Sequence, residues 1–465
     1  MAPDHTHRAA ASQEDLDDLR DGIEAASVAR GSAWGTIAMV VTIVSGLALA
    51  VIVARYLGPS SRGIYFLTTF VAGLIVLVGD LGLSTSGLVF ATKDRVPRAR
   101  LHGSVLGLSL AITAVTAVAV PVFYPLLRDN VLDGMTMTDA WFVVGGVGLA
   151  LYARLAGALL TGIGRIPELS AIGIVAGVAA VPVTILALEL GGRTVVWALT
   201  AWLVVAAMTA GGIGFEAARR MGGVRVPTRS DLRELFGFGL RSHIGTISHQ
   251  GFLRADVLFI SARSGPAAVG FYSLASTLAE RLSSLGAVVY TAGASHVGSR
   301  SHADAGELMA RMVRIVLLVV LPVAVLLAAV SDPLVRLLFG ADFEPTATPF
   351  VLLLPGAVAL TVWYLLSLYI IAALERPTVT TVIQLTGMLA SLPLYWAAVG
   401  EWGMTGAAIV SSLVYIGVMV AGLVIFVRAS GIGPRALLPG VADIVTLRDL
   451  GQQGVQAARV GRRTA

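Results

Sequence analysis

Four charged residues in the second half of the chain lie in apolar surroundings, where they could bind an anionic group or carry a proton. Arg254 and Asp256 lie in one apolar run, and Glu280 and Arg281 lie in the next. A guanidinium group binds phosphate groups through two parallel hydrogen bonds and stays protonated, whereas a carboxylate can balance it. A charge in the middle of a bilayer costs at least about 2.5–3.5 kcal/mol, so each of these side chains must face protein or a watery cavity.

These charges share one depth if both runs are helices. Each lies nine to eleven residues from the Gly265–Gly270 stretch that joins the two runs. With a rise of 1.5 Å per residue, that spacing predicts a depth of about 14–17 Å below the outer helix ends, near the middle of the membrane. The corresponding positions of the first half carry no charge. The cluster therefore belongs to one half of the chain only.

Three other polar residues accompany the cluster. His249 falls on the same helical face as Asp256 when each residue turns the helix by about 100°. Arg154 lies well inside an earlier apolar run and has no obvious acidic partner, so we expect it to meet an anionic ligand. Asp80 lies deep along the second run, where we expect it to form hydrogen bonds near a helix end or between helices.

Two interpretations of these residues are open. In the structural one, Arg254–Glu280 and Asp256–Arg281 are neutral pairs that hold neighbouring helices together, as intramembrane charges often do. In the functional one, which we favour, the charges line a cavity between two lobes. The residues that then bind the substrate are Arg154, Arg254 and Arg281. Those that serve ion coupling or charge balance are Asp256, Glu280 and His249.

The composition is typical of a membrane protein. Of 465 residues, 56% are hydrophobic and only 13% are charged, whereas soluble proteins carry about 25% charged residues. The chain has no cysteine, which excludes disulfides and thiolate metal sites. No Walker loop, His-Glu-x-x-His motif or nucleophile elbow is present, so we expect no catalytic residue, metal or cofactor, and no enzyme. The isoelectric point of the chain is basic, and we attribute it to arginines in loops, where they set the topology of a membrane protein. We therefore expect no nucleic-acid partner.

A repeated stretch organises the apolar runs. Gly58-Pro59, Gly63 and Tyr65 recur 207 residues later as Gly265-Pro266, Gly270 and Tyr272. A glycine followed by a proline stops one helix and starts another, so each copy predicts a tight hairpin between two spans. Because the offset is shared, we predict an all-α membrane protein of about twelve transmembrane helices, in two six-helix lobes related by a parallel internal repeat.

The same pattern divides the chain into five parts. We predict a cytosolic N-terminal tail over 1–32, a first lobe over 33–215, a basic linker over 216–235, a second lobe over 236–428 and a cytosolic C-terminal tail over 429–465. Most lysines and arginines fall in the loops on the side of the termini and the linker, which places both termini in the cytosol.

The residues also resemble a known family. Two segments of the first half and three of the second carry the likeness: Ala54-Arg55-Tyr56-Leu57-Gly58-Pro59, Gly79-Asp80-Leu81-Gly82, Arg254-Ala255-Asp256, Gly265-Pro266 with Gly270-Phe271-Tyr272, and Ala279-Glu280-Arg281. They resemble the polysaccharide transporter, or oligosaccharide flippase, family, in the superfamily shared with MATE multidrug exporters and the lipid II flippase. The likeness covers roughly residues 30–428.

The resemblance implies a MATE-like fold and a multi-pass protein of the bacterial inner membrane. It implies a flippase that moves a polyprenyl-diphosphate-linked oligosaccharide outward by alternating access, for cell-surface polysaccharide synthesis, with membrane lipids, a polymerase and glycosyltransferases as partners. Two departures from the lipid II flippase are the number of helices, twelve rather than fourteen, and the scarcity of charges in the first two helices. Three alternatives stay open: an ion-coupled exporter of small organic cations, a lipid II-type flippase, and a scaffold for glycan-synthesis enzymes.

The predicted topology is testable directly. A reporter protein fused after Arg229, in the predicted linker, is expected to report a cytosolic location because both lobes hold an even number of spans. The measurement is the activity of a reporter that works on one side of the membrane only. A signal from the outer side would contradict the predicted number of helices in the first lobe.

Overall fold

The computed structural model describes residues 13–129, 131–298, 301–440 and 443. Within these residues the chain is helical and contains no strand. The α-helices are α1 (Gln13–Gly79), α2 (Leu83–Thr92), α3 (Arg98–Leu127), α4 (Met137–Gly162), α5 (Ile166–Leu190), α6 (Val195–Arg220), α7 (Arg229–Gly298), α8 (His302–Ala329), α9 (Ser331–Phe339), α10 (Ala347–Leu368) and α11 (Pro377–Ser430). A π-helical turn, Tyr369–Ala373, extends α10, and short 3-10 helices cover Ala341–Thr346 and Pro434–Leu437.

The chain is a multi-pass membrane protein. Eight helices of the described residues are long and apolar enough to cross a membrane. Two of the eight, Trp34–Gly79 and Pro377–Ser430, have 46 and 54 residues, whereas one crossing needs only about 20. The all-α membrane fold predicted from the sequence is confirmed, and the count of twelve crossings stays a prediction.

Single glycines break the three longest helices. Gly58 in α1 (φ 72°, ψ 177°) and Gly265 in α7 (φ 76°, ψ 178°) have nearly identical non-helical conformations. Pro59 and Pro266 follow them, at the start of a helical section where a missing N–H is tolerated. Gly403 also breaks α11, in a different non-helical conformation (φ 54°, ψ −136°). The helix stop and restart predicted at both copies of the repeated stretch are confirmed.

The two copies of the repeated stretch pack against each other. A Cβ atom on Gly63 would lie 1.8 Å from the carbonyl oxygen of Pro266, and one on Gly270 would lie 2.2 Å from that of Pro59. These contacts are reciprocal at the offset of 207 residues, as they must be across a two-fold axis. The parallel internal repeat is therefore visible in the packing. We call the end of the bundle that holds these contacts the hairpin side.

Two separate hydrophobic cores correspond to the two halves. One comprises buried residues from Leu67 to Leu235, and the other comprises residues from Phe252 to Leu437 together with Ala54. The exact boundaries of the predicted lobes and linker stay predictions. Helix α1 begins at Gln13, so helical structure includes part of the segment predicted as an N-terminal tail. Most of the predicted C-terminal tail lies outside the described residues.

Further contacts hold the lobes together at the hairpin side. The guanidinium group of Arg55 on α1 donates to the carbonyl oxygens of Leu337 and Leu338 at the end of α9. Ser261 on α7 donates to the carbonyl oxygen of Val131, 2.5 Å away, in the loop between α3 and α4. Each lobe thus contributes a loop segment that contacts a helix of the other lobe. The sequence pattern did not predict α9, because its nine residues lie between two longer apolar runs.

The opposite end, which we call the linker side, also joins the lobes. The second apolar run of the sequence is interrupted between α1 and α2 because Leu81 (φ 49°) and Gly82 (φ 77°) are left-handed. A Cβ atom on Gly82 would lie 2.0 Å from the carbonyl oxygen of Gly239 on α7. Nearby, Asp231 lies 3.6 Å from Arg100 on α3. Burial alone would raise the pKa of Asp231, but hydrogen bonds from Thr228 and the charge of Arg100 lower it.

The backbone contact at the hairpin side predicts a sharp effect of a single methyl group. Gly270→Ala is expected to lower the melting temperature because the new Cβ cannot avoid the Pro59 carbonyl without moving the lobes apart. Gly417→Ala is the matched control, since nothing lies within 4 Å of its Cβ position and alanine favours a helix. The chain has no cysteine of its own, so maleimide labelling of a cysteine placed at Thr69, which lies between the lobes, reports whether the lobes have moved apart. Unchanged melting and labelling in Gly270→Ala would contradict the contact.

Candidate functional site

An ion pair joins the two sections of α7 near the middle of the bundle. Arg254 Nη1 lies 2.6 Å from Glu280 Oε1, and Arg254 Nη2 donates to Glu280 Oε2 over 2.9 Å. The pair is therefore bidentate, the strongest geometry for an arginine and a carboxylate. The Arg254 side chain remains 32% exposed and that of Glu280 41% exposed. The structural interpretation thus predicted this pair correctly.

Arg254 also lines a cavity between the lobes. The cavity has a volume of about 330 Å³. Gln250 and Arg254 on α7 form its polar wall, and residues between Phe66 and Leu77 on α1 form the opposite wall. Gln250 and Arg254 are four residues apart, which puts them on one helical face. A cationic group and an amide therefore face an otherwise mostly apolar space between the two halves.

Asp256 points away from that cavity, into the second lobe. Its Oδ2 accepts hydrogen bonds from the hydroxyl groups of Tyr272, at 2.5 Å, and Ser411, at 3.2 Å. Its Oδ1 accepts one from the backbone N–H of Val257. Tyr395 extends this network through a 2.9 Å contact with Ser411. The carboxyl group is 4% exposed, so it belongs to the interior of the lobe.

The predicted pair between Asp256 and Arg281 is wrong. Hydroxyl groups and one backbone N–H satisfy Asp256, and the ion pairs among the described residues do not include Arg281. The physical reason is direction. Equal depth along two helices does not make two side chains point at each other, because 100° per residue turns neighbouring positions to different faces.

Arg281 instead approaches the first lobe. A Cβ atom on Gly46 of α1 would lie 3.4 Å from Arg281 Nη2. Glycine at position 46 therefore leaves room beside α1 for the guanidinium group. The Nε atom of Arg281 is buried and has no hydrogen-bond partner among the described residues. This half-buried cation has no acid within 4 Å in the part of the chain that the structure describes.

Arg154 has an acidic partner, which the sequence did not reveal. Its Nε donates to Asp80 Oδ2 over 2.5 Å. Asp80 is 1% exposed and also accepts hydrogen bonds from the backbone N–H and the hydroxyl group of Ser84, at the start of α2. The break between α1 and α2 makes this possible, because it turns Asp80 into a helix-end residue. Arg154 keeps 42% of its side chain exposed.

His249 has a neutral partner rather than an acidic one. Its Nδ1 lies 3.0 Å from the side-chain nitrogen of Gln384 on α11, and the ring of Tyr364 packs edge-on at 6.2 Å. Although His249 and Asp256 share a helical face, their partners differ. The structure therefore brings Arg254 and Glu280 together, and Asp256 and Glu280 line one small cavity inside the second lobe, whereas Arg154, Arg281 and His249 have separate surroundings.

The sequence pattern did not indicate the hydroxyl groups around Asp256. Tyr272 is part of the repeated stretch and could have been found as its most polar member. Ser411 and Tyr395 come from α11, and a serine or tyrosine in an apolar run gives no signal of its own. The Tyr272–Asp256 contact within α7 and the Tyr395–Ser411 contact within α11 each span 16 residues, whereas the Ser411–Asp256 contact spans 155. Only the packing of α7 against α11 joins the two local contacts into one network.

A family model matches the chain over most of its membrane body. Residues 52–348 match the model described as polysaccharide biosynthesis protein. This range includes both copies of the repeated stretch and the residues of the Arg254–Glu280 pair. A comparison with curated proteins returns no match.

Solved structures share the fold. The lipid II flippase MurJ, in an inward closed conformation, superposes with a TM-score of 0.69 at 15% identity and covers 90% of this chain and 92% of its own. An outward-facing MATE family multidrug resistance transporter of the MOP superfamily gives 0.58 at 19% identity, over 87% and 94%. A MOP superfamily transporter from Pyrococcus furiosus gives 0.59 at 17%, over 87% and 94%. The predicted MATE-like fold is therefore confirmed.

The Arg254–Glu280 pair predicts strongly coupled mutations. Arg254→Leu or Glu280→Leu alone is expected to lower the melting temperature because each leaves an uncompensated charge away from water. The double variant is expected to recover most of the loss, with a coupling energy of roughly 1–3 kcal/mol. The matched control is Arg165–Glu168, an ion pair of 3.0 Å with similar exposure at a helix end, where we expect roughly 0–1 kcal/mol. Additive effects at 254 and 280 would show that the pair contributes no stability.

Proposed function

We propose that this chain, which belongs to the polysaccharide biosynthesis protein family, is a flippase for a polyprenyl-diphosphate-linked oligosaccharide. It moves this precursor outward across the bacterial cytoplasmic membrane by alternating access, for cell-surface polysaccharide synthesis. The physical task is to carry a charged sugar-diphosphate group across about 30 Å of hydrocarbon while the lipid tail stays in the bilayer. A cavity between two lobes, with a cation at mid-depth, is suited to that task.

The single observation that carries the proposal is the state of Arg281. Its guanidinium group lies at the interface of the lobes beside Gly46, and one buried donor has no partner among the described residues. An unpaired arginine at this depth is costly unless a ligand neutralises it for part of the cycle. A diphosphate is the matching ligand, since its oxygens accept parallel hydrogen bonds from one guanidinium group.

Arg254 and Arg154 provide further proposed contacts with the substrate. Arg254 lines the inter-lobe cavity while Glu280 balances its charge, so an arriving anion would share the guanidinium group with Glu280. In Arg154 only Nε contacts Asp80, and the exposed remainder of its guanidinium group is free to donate hydrogen bonds to a phosphate oxygen. Arg281 thus makes the main contact, and the two paired arginines add to it.

We further propose that Asp256 and His249 couple transport to an ion. Asp256 is enclosed by hydroxyl groups inside the second lobe, and His249 bridges α7 to α11 through Gln384. A change in the protonation of either group would alter contacts between these two helices. Glu280 serves charge balance through Arg254.

The charge of the site supports an anionic substrate over an organic cation. Arg254 and Glu280 cancel, Asp256 is turned away from the cavity, and Arg281 leaves one positive charge at the interface. An exporter of small organic cations would need the opposite sign. A lipid II-type precursor has the same diphosphate, so we propose the oligosaccharide on the strength of the family match. We infer that the hairpin side faces outward, that both termini are cytosolic, and that glycosyltransferases and a polymerase act beside it.

The proposed role of Arg281 is tested by substitution. Arg281→Ala is expected to reduce glycan export at least about tenfold while the protein still inserts and folds, because the diphosphate loses its main cation. Arg281→Lys is expected to rescue export only in part, since lysine keeps the charge but loses the planar fork. The assay compares lipid-linked oligosaccharide translocated into proteoliposomes at equal protein content.

The control is another arginine of the same helix. Arg263→Ala removes a guanidinium group that stacks on Trp396 at 4.6 Å near the hairpin end of α7, and it is expected to leave export unchanged. Normal export by a well-folded Arg281→Ala variant would refute binding by this residue. Equal losses in Arg263→Ala and Arg281→Ala would show a general effect of charge removal.

A further inference from the structure

An apolar groove lies between the lobes beside the cavity of Arg254. It has a volume of about 470 Å³. Its walls come from α1, α3 and α4 of the first lobe and from Leu258 on α7 of the second; Leu74, Ile75, Ala119, Phe123 and Val143 are representative. The contributing segment of α3 runs from Val115 to Leu127, about 18 Å at 1.5 Å per residue. The groove therefore covers roughly the depth of one leaflet, toward the hairpin side.

Among the described residues, the groove offers no free hydrogen-bond donor to an occupant. In that part of the chain, Thr116 and Tyr124 are the lining residues with hydroxyl groups. The Thr116 hydroxyl already donates to the carbonyl oxygen of Ile112 over 2.8 Å, and that of Tyr124 donates to the carbonyl oxygen of Met135 over 2.8 Å. A polar occupant would lose its own hydration without compensation. The chemistry of the walls therefore selects a hydrocarbon.

The groove and the polar cavity are continuous. Leu74 on α1 lines both of them. On α7, Arg254 lines the cavity and Leu258 lines the groove. These two residues are four apart, so they lie on one helical face about 6 Å from each other along the axis. One helical turn separates a guanidinium group from a hydrocarbon-binding surface.

This arrangement matches a molecule in which an anion is bonded directly to a hydrocarbon chain. We propose that the groove binds the isoprenoid tail of the lipid-linked substrate, in the part next to its diphosphate, while the diphosphate, held mainly by Arg281, also contacts Arg254. The inference rests on the proposed function and deepens it, since it makes the tail a recognised part of the substrate. An ordinary phospholipid acyl chain is the competing occupant, and the experiment below separates the two.

The test fills the groove without touching the cation. Ala119 lies on the groove wall, whereas Ala114 on the same helix is exposed and lies outside the groove. Ala119→Trp and the matched control Ala114→Trp are each titrated with undecaprenyl diphosphate and with the short dimethylallyl diphosphate. Binding to the purified full-length protein in detergent is measured by native mass spectrometry.

Ala119→Trp is expected to weaken binding of undecaprenyl diphosphate about tenfold or more, because the indole displaces several buried methylene groups of the tail. Binding of dimethylallyl diphosphate is expected to stay unchanged, and Ala114→Trp should bind both probes normally. Arg254→Ala is expected to weaken both probes alike. Phe123→Ala provides a second variant that enlarges the groove instead of filling it, and we expect it to weaken the long probe only.

Equal affinities of Ala119→Trp and Ala114→Trp for undecaprenyl diphosphate would overturn the inference and assign the groove to bulk lipid. The proposed function would survive that result if both diphosphates still bind in an Arg254-dependent way. If the wild-type protein binds neither diphosphate, the proposed function itself fails, and the inference fails with it. A loss of both probes in Ala119→Trp with an unchanged melting temperature would also overturn the inference, since the groove would then not discriminate the tail.

Discussion

The close approach of two backbones at the hairpin side is the constraint on which the rest of the structure depends. Only a residue without a side chain fits where Gly63 meets Pro266 and where Gly270 meets Pro59. Because both contacts are made by the same repeated stretch, they place the two lobes around one axis. The axis in turn puts α1 and α7 face to face. These two helices line the inter-lobe cavity, and Arg281 on α7 lies beside Gly46 on α1.

A second constraint is the cost of charge away from water, and the lobes meet it in different ways. The first lobe pairs Arg154 with Asp80 at a broken helix end. The second pairs Arg254 with Glu280 across the two sections of α7 and surrounds Asp256 with hydroxyl groups. Arg281 is treated differently, since its charge is turned toward the partner lobe. The proposed binding of an anion therefore rests chiefly on Arg281 rather than on the arginines that already have an acidic partner.

Composition and the 207-residue offset predicted the all-helical membrane fold and its internal repeat, because both depend on local chemistry: apolar length, glycine and proline. The pairing of Arg254 with Glu280 could also be predicted, since both residues are on neighbouring sections joined by a short hairpin. The partners of Asp256 and Arg154 could not. They depend on helix rotation and on a break at Leu81 and Gly82, and these are decided by contacts with distant segments such as Gly239. Depth is readable from a sequence, whereas direction around a helix axis is set by tertiary packing.

The matching backbone breaks at Gly58 and Gly265 also have an evolutionary meaning when compared with the unmatched charges. The two breaks agree within a few degrees in backbone conformation, yet the four midplane charges of the second half have no counterparts at the corresponding positions of the first. Such a pattern is what a duplication leaves when the shape is kept in both halves and the ionic character changes in one. A scaffold of this kind lets one half acquire new chemistry while the joint between the halves stays the same.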